Sequence, residues 1–282
     1  MQPLIRTIDV NHRGHPRVIA VFKIGDMLID CGPGSTSAAL LEALGDERPR
    51  VLALTHIHLD HAGAAGALVE RFPELEVWVH ERGAPHLIDP AKLLASATRL
   101  YGERMDSLWG TMVPVPAENV RVLHGGEQLG PLEVAYTPGH ASHHVSYRHE
   151  QASTVFAGDV AGVRITPSEY ILPPTPPPDI DLEAWQESIA RLRAWNPQHL
   201  ALTHFGIFDD VGSHLDRISR RLEIVAQRAR TMTLEQYVAA AGEDVAAAGD
   251  AETIRAYTLG APADQTYAGL VRYWSKRDAA GQ

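Results

Sequence analysis

The chain has 282 residues, 45% of them hydrophobic and 21% charged, which excludes a disordered polymer, a collagen and a coiled coil and leaves room for one large domain or a domain with an appendage. Lys and Arg number 25 against 35 Asp and Glu, a formal charge of −10 with no basic block, so nucleic acid is not an expected partner. One cysteine excludes an intrachain disulfide, no apolar run approaches the roughly 20 residues of a membrane helix, and the start Met1-Gln2-Pro3-Leu4-Ile5-Arg6 lacks the apolar core of an export signal, so a cytoplasmic protein off the membrane is expected.

In chain order, 18–22 and 27–30 read as strands joined by a turn at Gly25-Asp26. Cys31-Gly32-Pro33-Gly34 breaks the chain, and Ser35 is placed to cap a helix running to about Leu44. The apolar run 51–54 predicts a strand buried on both faces, followed by a small-residue helix over 62–72 and a strand over 76–79. A helix is predicted around 90–100, then short strands over 120–123, 132–136, 145–147 and 154–157. Pro173-Pro174-Thr175-Pro176-Pro177-Pro178 is a stiff extended segment, either a connector or a wall beside a pocket. Leu182, Trp185, Ile189 and Leu192 form the apolar stripe of a helix that Asn196-Pro197 ends, and 199–202 is one more strand. Val211, Leu215, Ile218, Leu222 and Val225 mark another helix, and Tyr267, Leu270, Val271 and Trp274 a last one. Helices interspersed with strands indicate an α/β class.

The chain holds 15 histidines, unevenly placed. Thr55-His56-Ile57-His58-Leu59-Asp60-His61 follows a buried strand and puts four metal-ligand candidates within six residues. Crowding desolvated imidazoles and a carboxylate has no stability rationale unless something pairs them, and the density suits two adjacent ions better than one. His140 in Thr-Pro-Gly-His, Asp159 in Ala-Gly-Asp and His204 in Leu-Thr-His each follow a strand directly, where a rigid scaffold presents ligands and α/β sheets form crevices. Thr55, Thr203 and His144 are candidates to orient ligand rings. Tyr170, Trp109, Phe205 and Trp185 are the candidate pocket aromatics, with Trp185 more at home in the core. Cys31 and His80 read as structural, and His12, His15, His86, His124, His149 and His214 carry no pattern.

His56-x-His58-x-Asp60-His61, with Thr-Pro-Gly-His at 137–140, Gly-Asp at 158–159 and Thr-His at 203–204, resembles the metallo-β-lactamase superfamily over roughly residues 15 to 210. The resemblance implies a four-layer αβ/βα sandwich over 1–210, with 211–282 as a C-terminal helical extension. It further implies that His56, His58 and His140 hold one metal, Asp60, His61 and His204 a second, and Asp159 both. Zinc is the expected metal, with iron and manganese also fitting the ligand types.

That superfamily hosts many chemistries. Gly158-Asp159 and the absent export signal differ from true β-lactamases, and the acidic balance argues against the nucleases. Asp159-Val160-Ala161-Gly162 lacks the tyrosine typical of quorum-signal lactonases. Ala141-Ser142-His143-His144 keeps only the last histidine of the glyoxalase II pattern. The expected reaction is metal-assisted hydrolysis of a small ester, thioester or lactone, in which two ions about 3.5–4 Å apart sharpen a shared water and Asp60 handles the proton. A phosphodiesterase or a non-hydrolytic metal protein are the alternatives. The partner expected is a small-molecule substrate, and the C-terminal helices are expected first to pack on the sandwich, with a roof over the site or a homodimer interface as the alternatives.

Overall fold

The stretch Ile5-Arg6-Thr7-Ile8-Asp9, with two β-branched isoleucines and a threonine, forms β1 (Ile5–Asp9), paired antiparallel with β2 (Ala20–Ile24) in a computed structural model that describes residues 4–280. Met1, Gln2 and Pro3 of the segment scanned for an export signal lie outside the described residues. Next come β3 (Met27–Ile29), α1 (Ser37–Leu44), β4 (Val51–Ala53), α2 (Leu59–Ala62), α3 (Ala65–Arg71), β5 (Glu76–His80), α4 (Ala84–Ile88), α5 (Ala91–Tyr101), α6 (Met105–Trp109) and β6 (Val120–Leu123). The six strands lie in the order β1-β2-β3-β4-β5-β6, parallel from β3 onward. The short run 51–53 fits its place: β4 sits between two parallel neighbours and is covered on both faces, with Leu52 and Ala53 fully buried.

The second sheet is mostly antiparallel: β7 (Gln128–Leu129), β8 (Leu132–Tyr136), β9 (Val145–His149), β10 (Thr154–Phe156), β11 (His199–Leu202) and β12 (Gly206–Phe208), in the order β12-β11-β10-β9-β8-β7. Its one parallel pair, β10 with β11, is joined through α7 (Leu182–Ala194), whose N-terminus Asp181 caps by accepting from the Ala184 N–H at 3.0 Å.

Three apolar clusters define four layers. Phe22, Ile29 and Trp78 of the first sheet meet Val134, Tyr147 and Phe156 of the second, with the Phe22 and Phe156 rings 5.6 Å apart. Leu40, Leu68 and Leu87 cover the outer face of the first sheet, and Trp185, Ile189 and Leu215 that of the second. This is the αβ/βα sandwich expected from the sequence. Beyond it run α8 (Val211–Thr231), α9 (Leu234–Ala246), α10 (Ala251–Gly260) and α11 (Ala263–Ala280). The stripe from Val211 to Val225 is buried on the second sheet's outer layer, whereas Ala256 and Tyr257 of α10 join the cluster of the first sheet. The extension therefore straddles both outer layers. Among the described residues no helix is long and apolar enough to cross a membrane.

Local expectations shift in two places near the site. The helix predicted over 62–72 is split into α2 and α3 at Gly63, where an added Cβ would lie 2.9 Å from the Gly34 nitrogen, so only glycine permits the contact. Ser35 caps no helix: its hydroxyl donates to the Leu108 carbonyl at 2.9 Å, a short 3-10 turn takes 34–36, and α1 starts at Ser37.

Candidate metal centre

Five strand ends converge on one rim of the sandwich. After β3 the backbone turns through Asp30 in the left-handed region (φ 56), after β4 comes the His56–His61 loop, after β8 His140, after β10 Asp159 and after β11 His204. The Thr55 carbonyl accepts from Val145 N at 2.8 Å and the Thr203 carbonyl from Ala20 N at 2.8 Å, so the two sheets are stitched where the candidates meet.

Ligand atoms of His56, His58 and His140 lie within 4.8 Å of one another, as do those of Asp60, His61 and His204, and those of His56, His61 and Asp159. In the first group His56 Nε2 is 2.9 Å from His58 Nδ1 and 3.2 Å from His140 Nε2, and His140 Nε2 is 2.9 Å from His58 Nδ1. Ligands about 2.0–2.1 Å from a tetrahedral zinc stand roughly 3.3 Å apart, so the spacing fits a shared ion. The tautomers agree. His140 Nδ1 donates to the Pro174 carbonyl at 2.8 Å, which leaves Nε2 as a lone pair. His56 Nδ1 faces the Thr55 hydroxyl at 3.1 Å, and that hydroxyl donates to Asp30, so His56 Nε2 is a lone pair too. Two lone pairs aimed at a third ring nitrogen cannot all be satisfied among themselves.

The second group gives the sharper test. His61 Nε2 is 3.3 Å from Asp159 Oδ1, and His204 Nε2 is 3.3 Å from Asp60 Oδ2. Among the described residues His61 Nε2, His204 Nε2 and Asp159 Oδ1 are buried without a hydrogen-bond partner. Orphaned buried polar atoms are costly, about 1–3 kcal/mol each, and three facing one another ask for a cation. Asp159 addresses both groups: Oδ2 is 3.4 Å from His140 Nε2 while Oδ1 faces His61. These His/Asp clusters are consistent with a dinuclear metal site.

Electrostatics divides the rings in the same way. Burial holds His56, His140, His143 and His144 below the usual imidazole range and His58 down to about 3, so they stay neutral, as ligands must be. For His61 and His204 burial acts downward as well but is outweighed, chiefly by Asp159, and both shift upward. Burial would raise Asp60 and Asp159, yet His61 and its neighbours hold both carboxyls well below their ordinary range. Carboxylates that shift two buried imidazoles upward against burial mark a dry place that favours positive charge.

Sequence reading missed the hub of this network. Asp30, fully buried, accepts from Thr55 N at 2.7 Å, the Thr203 hydroxyl at 2.8 Å and His61 Nδ1 at 2.8 Å. Its one signal was an acid closing the apolar strand Met27-Leu28-Ile29. His204 Nδ1 is held by the Val18 carbonyl at 2.7 Å, which leaves Nε2 toward Asp60. Of Thr55 and Thr203, expected to orient ligand rings, Thr203 bonds Asp30, and Thr55 bonds Asp30 and faces His56 Nδ1 directly. His144 bridges the Thr137 hydroxyl (2.9 Å) and the Asp159 backbone N–H (3.2 Å), so it positions the shared carboxylate's main chain. Gly158 (φ 49) is required there, because a Cβ would lie 2.6 Å from His144 Nε2. His143, also missed, packs edge-on against His58 with centroids 5.5 Å apart.

The proline run is a connector that braces the site: Pro174 anchors His140, and the Thr175 hydroxyl donates to the Thr266 carbonyl at 2.9 Å. Cys31 is buried, its thiol pushed upward by burial and donating to the His61 carbonyl at 3.2 Å. Trp185 is core; its indole donates to the Val160 carbonyl at 2.8 Å, with one edge against His140. Tyr170 lies with the extension instead of the histidines: Arg221 donates to its hydroxyl at 2.8 Å and Tyr257 to its carbonyl at 2.6 Å. Phe205, next to His204, packs half-buried between the clusters of the first sheet and the inter-sheet layer. Trp109 stacks on His12, a histidine that showed no pattern in the sequence.

The metallo-beta-lactamase fold-containing protein ST1585 of Sulfurisphaera tokodaii is 29% identical over 182 residues, 61% of this chain and 67% of the relative. The solved ST1585 structure from Sulfolobus tokodaii superposes with a TM-score of 0.70 at 21% identity, covering 94% of this chain and 97% of that one. The probable metallo-hydrolase YqgX of Bacillus subtilis is 34% identical over 115 residues, 40% of this chain and 49% of the relative. A hydroxyacylglutathione hydrolase of Aeromonas hydrophila is 28% identical over 137 residues, 47% of this chain and 41% of the relative. Residues 25–204, more than half of the chain and carrying every ligand candidate, match the profile of the metallo-beta-lactamase superfamily. The chain belongs to the metallo-beta-lactamase superfamily and is a metallohydrolase of that fold.

Proposed function

We propose that the chain hydrolyses a small ester, thioester or lactone with two divalent cations, one held by His56, His58 and His140, the other by Asp60, His61 and His204, with Asp159 shared. The carrying observation is the trio of buried, unpartnered atoms, His61 Nε2, His204 Nε2 and Asp159 Oδ1, set among carboxylates. Zinc suits the imidazole-rich first group, and iron or manganese suits the same atoms. When bound, the cations supply Lewis acidity, which activates water and polarises the electrophilic carbonyl.

The chain's own groups do the rest. The main-chain carbonyls of Pro174 and Val18 fix His140 and His204 in the tautomer that presents Nε2. Asp30 does the same for His61. His58 is half-buried and the Asp60 side chain 17% exposed, so this flank is the open side from which substrate arrives. Asp60 is placed there to move the proton between attacking water and leaving group. Phe205 supplies an apolar wall beside His204. The relative named for hydrolysing hydroxyacylglutathione, a thioester, supports the acyl-transfer reading, and the charge of −10 disfavours a polyanionic substrate.

Elemental analysis of untreated protein, joined to a panel of aryl ester, thioester, lactone and bis(p-nitrophenyl) phosphate, tests this. Two ions per chain with turnover of carboxylic esters is expected. Turnover of the phosphodiester alone would move the assignment to a phosphodiesterase, and full metal occupancy with no turnover would make the chain a non-hydrolytic metal protein.

A further inference from the structure

The C-terminal helices reach the metal rim at two points. The first is His204, whose ring is buried with Nδ1 donating to the Val18 carbonyl at 2.7 Å. The ring also meets Gly260, the last residue of α10: a Cβ there would lie 3.5 Å from His204 Nδ1 and 3.6 Å from Val163 Cγ1. Gly260 closes a regular helix, so its backbone does not call for glycine. A methyl fits at that distance. A branched side chain, with two carbons beyond the Cβ and both His204 and Val163 against it, presses on the imidazole. The segment beside His204 is fastened to the same helix. Arg164 N donates to the His204 carbonyl at 2.6 Å, and the Tyr257 hydroxyl of α10 accepts from Ile165 N at 3.1 Å and donates to the Tyr170 carbonyl at 2.6 Å.

The second point is the proline strap that holds His140. Directly after Pro174, whose carbonyl accepts from His140 Nδ1, the strap lies along α11. The Thr175 hydroxyl donates to the Thr266 carbonyl at 2.9 Å, and Arg272 Nε and Lys276 Nζ each donate to the Pro178 carbonyl at 3.3 Å. A Cβ on Gly269 would collide with the Thr175 carbonyl oxygen, so helix backbone and strap backbone touch there. Thr266, Gly269, Arg272 and Lys276 follow one another at three- and four-residue steps and share one face of the helix. One ligand of each group is therefore seated against the extension, His204 directly and His140 through the strap.

We propose that the extension is a clamp that positions the metal centre: Gly260 of α10 sets the His204 ring of the second group, and the α11 face at Gly269 sets, through the Pro174 strap, the His140 ring of the first. Close-packed groups pass a displacement on instead of absorbing it, and the contacts that support ligand rings govern metal affinity. Ions that need His204 and His140 in place hold the two helices down, and the helices hold the ions, with the same coupling free energy in either direction. Gly260 and Gly269 are thus positioning residues. The inference rests on the two-cation part of the proposed function and not on its ester chemistry.

Zinc is titrated into the metal-free full chain against a competing chelator, and two binding steps are expected. Gly260→Val should weaken one step about tenfold and leave the other within about twofold, whereas Gly260→Ala, whose methyl fits, should leave both within about twofold. Gly269→Ala should weaken the other step. Valine and alanine variants that bind alike, both steps falling equally in Gly260→Val, or a Gly269→Ala variant that binds as the wild type does overturns the clamp. Should a variant not fold, the wild type decides. Hydrogen exchange of amides in 256–276 should quicken at least about tenfold on removal of zinc, with α3 of the sandwich changing less, and exchange that ignores the metal overturns the clamp. Linked binding without turnover of any ester would remove the hydrolase reading and keep the clamp. Two zinc steps that no helix variant shifts would remove the clamp alone, and a chain that binds no zinc would remove both.

Discussion

The two halves of the centre are built on opposite principles. His56, His58 and His140 form an all-imidazole set in which burial, reinforced by the neighbouring histidines, keeps the rings neutral, and His140 is steadied by a main-chain oxygen. Asp60, His61 and His204 mix carboxylate with imidazole, and His61 is steadied by the buried carboxylate of Asp30. The first half is chemically ready without assistance. In the second, Asp159 and its neighbouring carboxylates outweigh burial and shift His61 and His204 upward, so the set favours positive charge. A ligand set of neutral donors tolerates an empty state, whereas a set carrying net negative charge in a dry pocket does not.

Breaking what the halves share should have the largest effect. Asp159→Ala removes the carboxylate that faces both, and is expected to cost more than the roughly 10–100-fold typical of a supporting residue, with metal content falling from two ions to one or none. Activity and elemental analysis of the same preparation check it; a variant that keeps two ions would sink the shared role. Asp30→Asn should separate the halves. It reaches the first set only through the Thr55 hydroxyl beside His56 but loosens His61 of the second directly, by about 10–100-fold in metal affinity, so that titration with metal fills one site well before the other. Simultaneous filling would show that Asp30 supports the rim as a whole.

The smallest effect sharpens the comparison from outside it. His214 of α8 is fully buried, with Nε2 against the Ala161 carbonyl at 2.8 Å. Burial lowers it to about 4 from its ordinary value near 6.5. A folded-state value below the unfolded one means that its contribution is complete above pH about 6.5 and is lost as pH falls toward 4. Thermal melts should therefore show a slope in Tm between those limits that His214→Gln removes, with metal stoichiometry unchanged. An identical slope in the variant would assign the acid sensitivity to the centre's own rings.

Much of the centre was legible because ligands bunch in sequence or close a strand. His56 to His61 stand in one loop, and His140, Asp159 and His204 each follow an apolar run, so the sandwich and its rim could be read together. Asp30 was not legible, since a single acid after Ile29 looks like any strand end until Thr55, Thr203 and His61 arrive from elsewhere. His12 failed for the same reason: its neighbours are Trp109 and the field of Asp60, all distant in the chain. The strands β1, β7 and β12 went unread because they are short or half-exposed edges with little apolar pattern. The helices α9 and α10 went unread because alanine-rich segments have weak periodicity, although the capping box at Thr233 and Gln236 announces the first of them.

The grip on His140 has a further implication for how this protein varies. What fixes that imidazole is the oxygen of Pro174, an atom every amino acid possesses. Swapping side chains one at a time along the strap would leave that handle in place, so a mutational scan would score the position as permissive. An insertion or deletion between Leu172 and Ile180 would displace it and release the ring. Tolerance of substitution combined with intolerance of length change is the evolutionary signature this segment should carry.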